Sequence, residues 1–297
     1  MMIHRTSGEG FDWEIALAAQ TACVLEADAP KPGNVNRYYD FDDATLEDFH
    51  LSALAIGQPF AYIRDQGVGK TLLESVRAVR RSVSTNTNLG ILLLLAPLGL
   101  AWSRIRDGQK VIPVQELPVL WKREICWVLD NLSVQDTAYV YQAIREASPG
   151  GMGDVEEYDV HGQAPPVTLL EAMRPAAERD MIARQYVDGF SLVLGQGYEM
   201  FASVRKKGLS MPQAINETFI YLLSLHADTL ISRKIGIERS MEVQWLAQMV
   251  IEGQISVKDF DHVLRSEKHA LNPGTTADLI TAVIFVYLLE RSLPSAL

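Results

Sequence analysis

Cysteine is scarce in this chain: two in 297 residues, Cys23 and Cys126. Their separation fits no metal-ligand spacing and offers no disulfide framework. Basic charge is in deficit, with 27 Lys and Arg against 37 Asp and Glu and a formal net charge of −10. That balance argues against nucleic acid as a partner, because phosphate binding wants a basic surface. It leaves room for a local basic pocket around a phosphorylated small molecule. The opening MMIHRTSGEGFDWE lacks the apolar core of a secretory signal. The apolar run 89–100 is too short to span a bilayer and carries Pro97. The expectation is a cytoplasmic protein with no membrane partner, its oligomeric state left open, a homo-oligomer included. No alternating strand pattern, internal repeat or low-complexity segment stands out.

What is present is apolar and helix-forming. With 48% apolar and 22% charged residues the composition is that of a globular protein, and the length suffices for a substantial core. Helical spacing runs over 11–27, 46–64, 119–131, 136–147, 168–207, 211–225, 238–252, 257–269 and 280–289. Within 168–207, Glu178, Arg179 and Asp180 read as a solvated mid-helix face. The stretch 84–102, STNTNLGILLLLAPLGLAW, joins a small polar half to an apolar one. Asn, Thr and Ser suit helix starts because their side chains bond the unpaired N–H groups of the first turn. A helix apolar on all sides is a buried one. This stretch therefore predicts a buried central helix whose start opens into a polar pocket, a natural anion site, or simply a capped core helix. The expected fold is all-α, a multi-helix bundle with buried central helices in one domain, 1–297.

Four loops could carry chemistry. In 29–37, APKPGNVNR, two prolines and a glycine fix Lys31, which suits a phosphate or a carboxylate, or a plain solvated turn. Gly69-Lys70-Thr71 resembles the end of a P-loop, but Arg64 stands where the first glycine belongs and the preceding segment reads as helix. In 148–160, SPGGMGDVEEYDV, Gly150, Gly151 and Gly153 let backbone approach a ligand. Asp154, Glu157 and Asp159 could hold magnesium, which prefers oxygen ligands shared with phosphates; a flexible acidic loop is the plain alternative. Asp228, followed by Arg233 and Lys234, reads as a helix end or a charged site. The stretch 271–279, LNPGTTADL, repeats the polar start of a buried helix, with Thr275 or Thr276 as cap and Asp278 in the first turn.

Taken together, Lys31-Pro32-Gly33-Asn34-Val35, Asn86-Thr87-Asn88-Leu89-Gly90, Asp228-Thr229 with Arg233-Lys234, and Asn272-Pro273-Gly274-Thr275-Thr276-Ala277-Asp278-Leu279 resemble the motifs of the triphosphoribosyl-dephospho-CoA synthase family. The match keeps its order from about residue 18 to residue 289. Where citrate-lyase-type members carry a histidine and a cation, this chain has Asn88 and Leu89, which resembles a divergent branch of archaea and of bacteria with methanopterin-type cofactors. The resemblance implies an all-α transferase that joins the triphosphoribosyl part of ATP to 3′-dephospho-CoA and releases adenine. It also implies roles. Asp228 and Asp278 would be catalytic, acting on an oxocarbenium-like transition state as carboxylates do in glycoside cleavage. Lys31, Arg233 and Lys234 would hold phosphates. Asn34, Asn86, Thr87, Asn88, Asn272, Gly274 and the glycines 150, 151 and 153 would contact substrate. Mg²⁺ on Asp154, Glu157 and Asp159 would bridge the triphosphate of ATP. Two alternatives stand beside it: a related nucleotide-dependent enzyme of pterin-cofactor assembly with another acceptor, and a non-catalytic helical binding protein.

Overall fold

A computed structural model describes residues 11–107, 112–147 and 162–292. Fifteen α-helices are named among them, and no strand occurs among the described residues. In chain order they are α1 (Trp13–Asp28), α2 (Leu46–Ala55), α3 (Gly57–Ala61), α4 (Ile63–Ser82), α5 (Leu89–Arg106), α6 (Leu117–Asp130), α7 (Val134–Ala147), α8 (Leu169–Met173), α9 (Met181–Val187), α10 (Tyr198–Lys206), α11 (Met211–Leu225), α12 (Thr229–Ile235), α13 (Ile237–Ile251), α14 (Val257–Arg265) and α15 (Gly274–Arg291). The all-α expectation holds.

Two helices form the centre. The segment 91–99 of α5 and the segment 279–287 of α15 are buried throughout. Each is apolar around its whole circumference and so packs on every side. α5 packs against α4, α6 and α15, and α15 against α1 and α11. By length and apolarity α5 could cross a membrane, yet 78% of it is buried inside the protein. Trp102 of α5 stacks on Trp121 of α6 with ring centroids 5.3 Å apart, and Phe60 meets Phe285 edge-on at 6.5 Å.

Pro97 sits inside α5. A proline has no N–H, so the carbonyl of Leu93, four residues earlier, loses its helical partner. Tyr186 of α9 supplies one: its hydroxyl donates to the Leu93 carbonyl at 2.7 Å. The apparent defect in α5 thus becomes the point where α9 is fastened, and α9 in turn brings Asp180 to the site described below.

Two long helical expectations are broken. The expected helix 46–64 is interrupted at Ile56 and Tyr62. Pro59 cannot give an N–H to the preceding turn, which limits what can join α2 to α4. The expected helix 168–207 becomes α8, a run of turns, α9, a reversal with Gly189 and Phe190 at φ 63° and 58°, a π-type turn over Val193–Gly197, and α10. Here a new helix starts at Asp180, whose carboxylate accepts from the N–H groups of Ile182 at 2.8 Å and Ala183 at 3.1 Å. Asp180 is an N-cap, not part of a solvated mid-helix face.

Candidate active site

The polar starts of α5, α9, α12 and α15 face one cavity of about 1010 Å³. Asp228 ties two of these starts together. It is 2% exposed and caps its own helix, accepting through Oδ1 from the N–H groups of Leu230 at 2.9 Å and Ile231 at 3.2 Å. Its Oδ2 accepts from the Thr276 N–H at 2.7 Å and the Thr276 hydroxyl at 2.8 Å. The first turn of α15 has no side-chain cap of its own, so the expected local caps Thr275 and Thr276 are replaced by a carboxylate from 48 residues away. Thr275 serves the neighbour instead: its Oγ1 accepts from the Leu230 N–H at 3.1 Å. With all four bonds turned to helix ends, Asp228 stands behind the cavity lining.

Asp278 lines the cavity and has no such partners. Burial, and then the carboxylates of Glu26 and Asp228, push its carboxyl well above the ordinary range. Glu26, on the same lining, is also raised by burial, with Lys31 opposing. Gly90 makes the position of Asp278 possible, because a Cβ there would stand 2.0 Å from Asp278 Oδ2.

The segment around Lys31 corrects an expectation. Lys31 is 0% exposed; its ammonium meets the Glu26 carboxylate at 3.0 Å and donates to the carbonyls of Glu26 and Ala29. It is a buried counter-ion for a cavity-lining carboxylate and does not reach the cavity as a phosphate ligand would. The physical reason is desolvation: an ammonium with no water around it must be paired. The loop it anchors meets the C-terminal motif. Gly33, at φ 73°, has room for no Cβ, which would lie 2.8 Å from Leu264 Cβ and 3.3 Å from Pro273 Cδ. The Gly33 N–H donates to Asp261 at 2.8 Å, and Arg265 donates to the Asn34 carbonyl at 2.8 Å.

The remaining expected residues that the structure describes do come together. Asn34, Asn86, Thr87, Asn88, Arg233, Lys234, Asn272 and Gly274 all line the cavity. Asn86 accepts from the Leu89 N–H at 3.2 Å, and Thr87 donates to Ser52 at 2.6 Å. Two amide atoms of the lining are buried with no hydrogen-bond partner, Asn88 Nδ2 and Asn272 Oδ1. Unpaired buried polar atoms are rare, and a donor and an acceptor left free on one lining suit a polar ligand. Arg233 is held by Asp180 at 2.8 Å. Burial lowers the Lys234 ammonium, with Asp43 and Asp228 opposing.

Several lining residues were not among the sequence candidates: Glu26, Asp43, Arg80, Arg179, Asp180 and His269. Asp180 was legible as a cap, since an Asp before Met181-Ile182-Ala183 is a helix-start pattern. Arg80 and Arg179 carry no local signal, because a cation on a helix face reads the same whether it meets water or a ligand. The glycines 150, 151 and 153 and the proposed magnesium ligands Asp154, Glu157 and Asp159 lie outside the described residues.

The family profile described as ATP:dephospho-CoA triphosphoribosyl transferase matches residues 12–296. A curated relative from Citrobacter koseri, named as a 2-(5''-triphosphoribosyl)-3'-dephosphocoenzyme-A synthase, is 23% identical over 284 residues, 91% of this chain and 89% of that protein. A crystal structure named for triphosphoribosyl-dephospho-CoA synthase from Archaeoglobus fulgidus superposes with a TM-score of 0.60 at 25% identity, over 80% of this chain and 96% of the other. Matched over nearly its whole length, the chain belongs to the ATP:dephospho-CoA triphosphoribosyl transferase family.

Proposed function

We propose that this cavity transfers the triphosphoribosyl part of ATP to a hydroxyl of 3′-dephospho-CoA and releases adenine. The observation that carries the reading is the convergence of Asn34, Asn88, Arg233, Asn272 and Asp278, distant in sequence, on one cavity of about 1010 Å³. Pockets for one small molecule span roughly 300–1,000 Å³, so this cavity lies at the top of that range.

In the reaction the bond from C1′ of the ATP ribose to the adenine nitrogen breaks, and a bond from C1′ to the acceptor oxygen forms. The acceptor hydroxyl gives up its proton and the departing adenine gains one. Asp278 is the group for that proton, because burial and its acidic neighbours raise its affinity toward working pH. Its carboxylate also faces positive charge as it develops on the ribose ring. Asp228 fixes the helix turn that carries Asp278. Arg179, Arg233 and Lys234 offer cations for phosphates, and the free amide atoms of Asn88 and Asn272 offer one donor and one acceptor to ribose or base.

Magnesium enters as part of the nucleotide substrate. Among the described residues no group of three His, Cys, Asp or Glu side chains is placed to hold an ion; Asp154, Glu157 and Asp159, the expected ligands, lie outside them. Neither the pterin-type acceptor nor a purely structural role gains support from the family match.

The test is adenine release. Purified protein is incubated with ATP, magnesium and 3′-dephospho-CoA, and adenine and coupled product are followed by mass spectrometry. The expected result is the two in equal amounts. Adenine without coupled product would point to another acceptor. No adenine, and no stabilisation by ATP where a ligand at a hundred times its Kd adds about 2.7 kcal/mol, would sink the reading.

A further inference from the structure

The cavity has two chemically different walls. One carries Asp278 near the start of α15 and Arg233 and Lys234 in the last turn of α12. The other lies along α4, α7 and α8, which pack in sequence, where Ile144 and Met173 stay half-buried over the buried Val76, Val79, Val140 and Leu169. The polar groups on this second wall are already engaged. Arg80 donates to the Glu146 carbonyl, and the Glu146 carboxylate is held by Arg77 at 3.1 Å. The part of this wall left in contact with the cavity, Ile144 and Met173, gains when something apolar covers it.

Resting on the transfer reaction proposed above, we infer that this wall seats the long uncharged tail of the acceptor, the thiol-ended chain of methylenes and amides beyond its diphosphate. The choice between the substrates follows from charge. The triphosphate of ATP would lose water against Ile144 and Met173 with no donor from either side chain to replace it, whereas Arg233 and Lys234 on the facing wall answer it. Of the two substrates only the acceptor has a long segment without charge, and its methylenes gain from leaving water. The tail wall then sets acceptor specificity by length and polarity, while the polar wall handles the donor.

The test compares 3′-dephospho-CoA with ADP, which is the same acceptor without its tail, in the unaltered protein with ATP and magnesium. The expected result is a fall in kcat/KM of at least a hundredfold for ADP, carried mainly by KM. Met173→Glu, at a half-buried position on the wall, is expected to raise KM for dephospho-CoA at least tenfold while KM for ATP moves less than twofold. In melting experiments it should lose stabilisation by dephospho-CoA and keep that by ATP. ADP used within threefold of dephospho-CoA would overturn the inference, as would a Met173→Glu protein whose defect falls on ATP. If Met173→Glu does not fold, the ADP comparison decides. If the unaltered protein releases no adenine, the reaction itself is misassigned. Melting then still judges the wall: dephospho-CoA stabilising more than ADP keeps the tail site, and equal stabilisation removes it.

Discussion

Gly90 and Asp278 are fitted to each other: a Cβ built on Gly90 would stand 2.0 Å from Asp278 Oδ2 and 2.6 Å from its Cγ. The first turn of one central helix has been cleared so that the other, just past its first turn, can bring a carboxylate against it. Two motifs separated by nearly two hundred residues are therefore halves of one device, and neither glycine nor aspartate is explained by its own helix.

Gly90→Ala is expected to displace Asp278. Overpacking a tight contact costs about 1–3 kcal/mol, visible as a lower urea midpoint. Adenine release should fall at least a hundredfold, since small misplacements of a reacting group are expensive. A variant with near-normal turnover would mean that the contact tolerates a methyl group and that Asp278 need not lie where it does.

The pH dependence of stability follows from Asp278. Its folded carboxyl binds a proton more tightly than the unfolded one, for which the ordinary value is 3.8. Above that value the folded state therefore carries the excess proton, and stability falls as pH rises through the folded titration. Groups facing it are Glu26 from α1, Asp228 and Arg233 at α12, and Asp180 at α9. Asp278→Asn removes the penalty, which is about 1.4 kcal/mol for each unit of difference. The variant should be more stable than the parent at pH 8, with the gap closing toward pH 4, and its turnover should drop by roughly 10²–10⁴. Parallel urea midpoints across that range would exclude a raised Asp278.

Asp228→Ala removes the acceptor for two helix starts at once. At about 1–2 kcal/mol per cap the expected loss is roughly 2–4 kcal/mol by chemical denaturation. Asp228→Asn, whose single amide oxygen can serve one start, should lose about half as much. A residue that reacted with substrate without holding the fold would show the opposite pattern, with both variants stable and inactive.

Lys31→Met leaves the Glu26 carboxylate buried without its partner, which costs about 3–5 kcal/mol. Adding Glu26→Gln should restore more than half of that. KM for ATP in the double variant, where it folds, is expected within threefold of the parent as far as Lys31 is concerned. A tenfold rise traced to Lys31 in a double-mutant cycle would return the lysine to phosphate binding.

Much of this was legible along the chain because periodicity and caps are local. The all-round apolar runs in 84–102 and 280–289 specify buried helices wherever they are placed, and the small polar residues before them specify starts that need partners. That covers the all-α class, the two central helices, and the residues Asn86, Asn88, Asn272 and Asp278. Only the tertiary structure decided the rest. It turned Lys31 from an open loop cation into a buried counter-ion, since pairing with Glu26 depends on enclosure. It broke 168–207 at Asp180 and delivered that residue to the cavity by fastening Tyr186 to the carbonyl freed by Pro97. It made Asp228 a clamp, because the groups it binds belong to helix starts 48 residues apart in sequence. A side chain's type states which bonds it can make; which partners it meets is fixed only when distant helices dock.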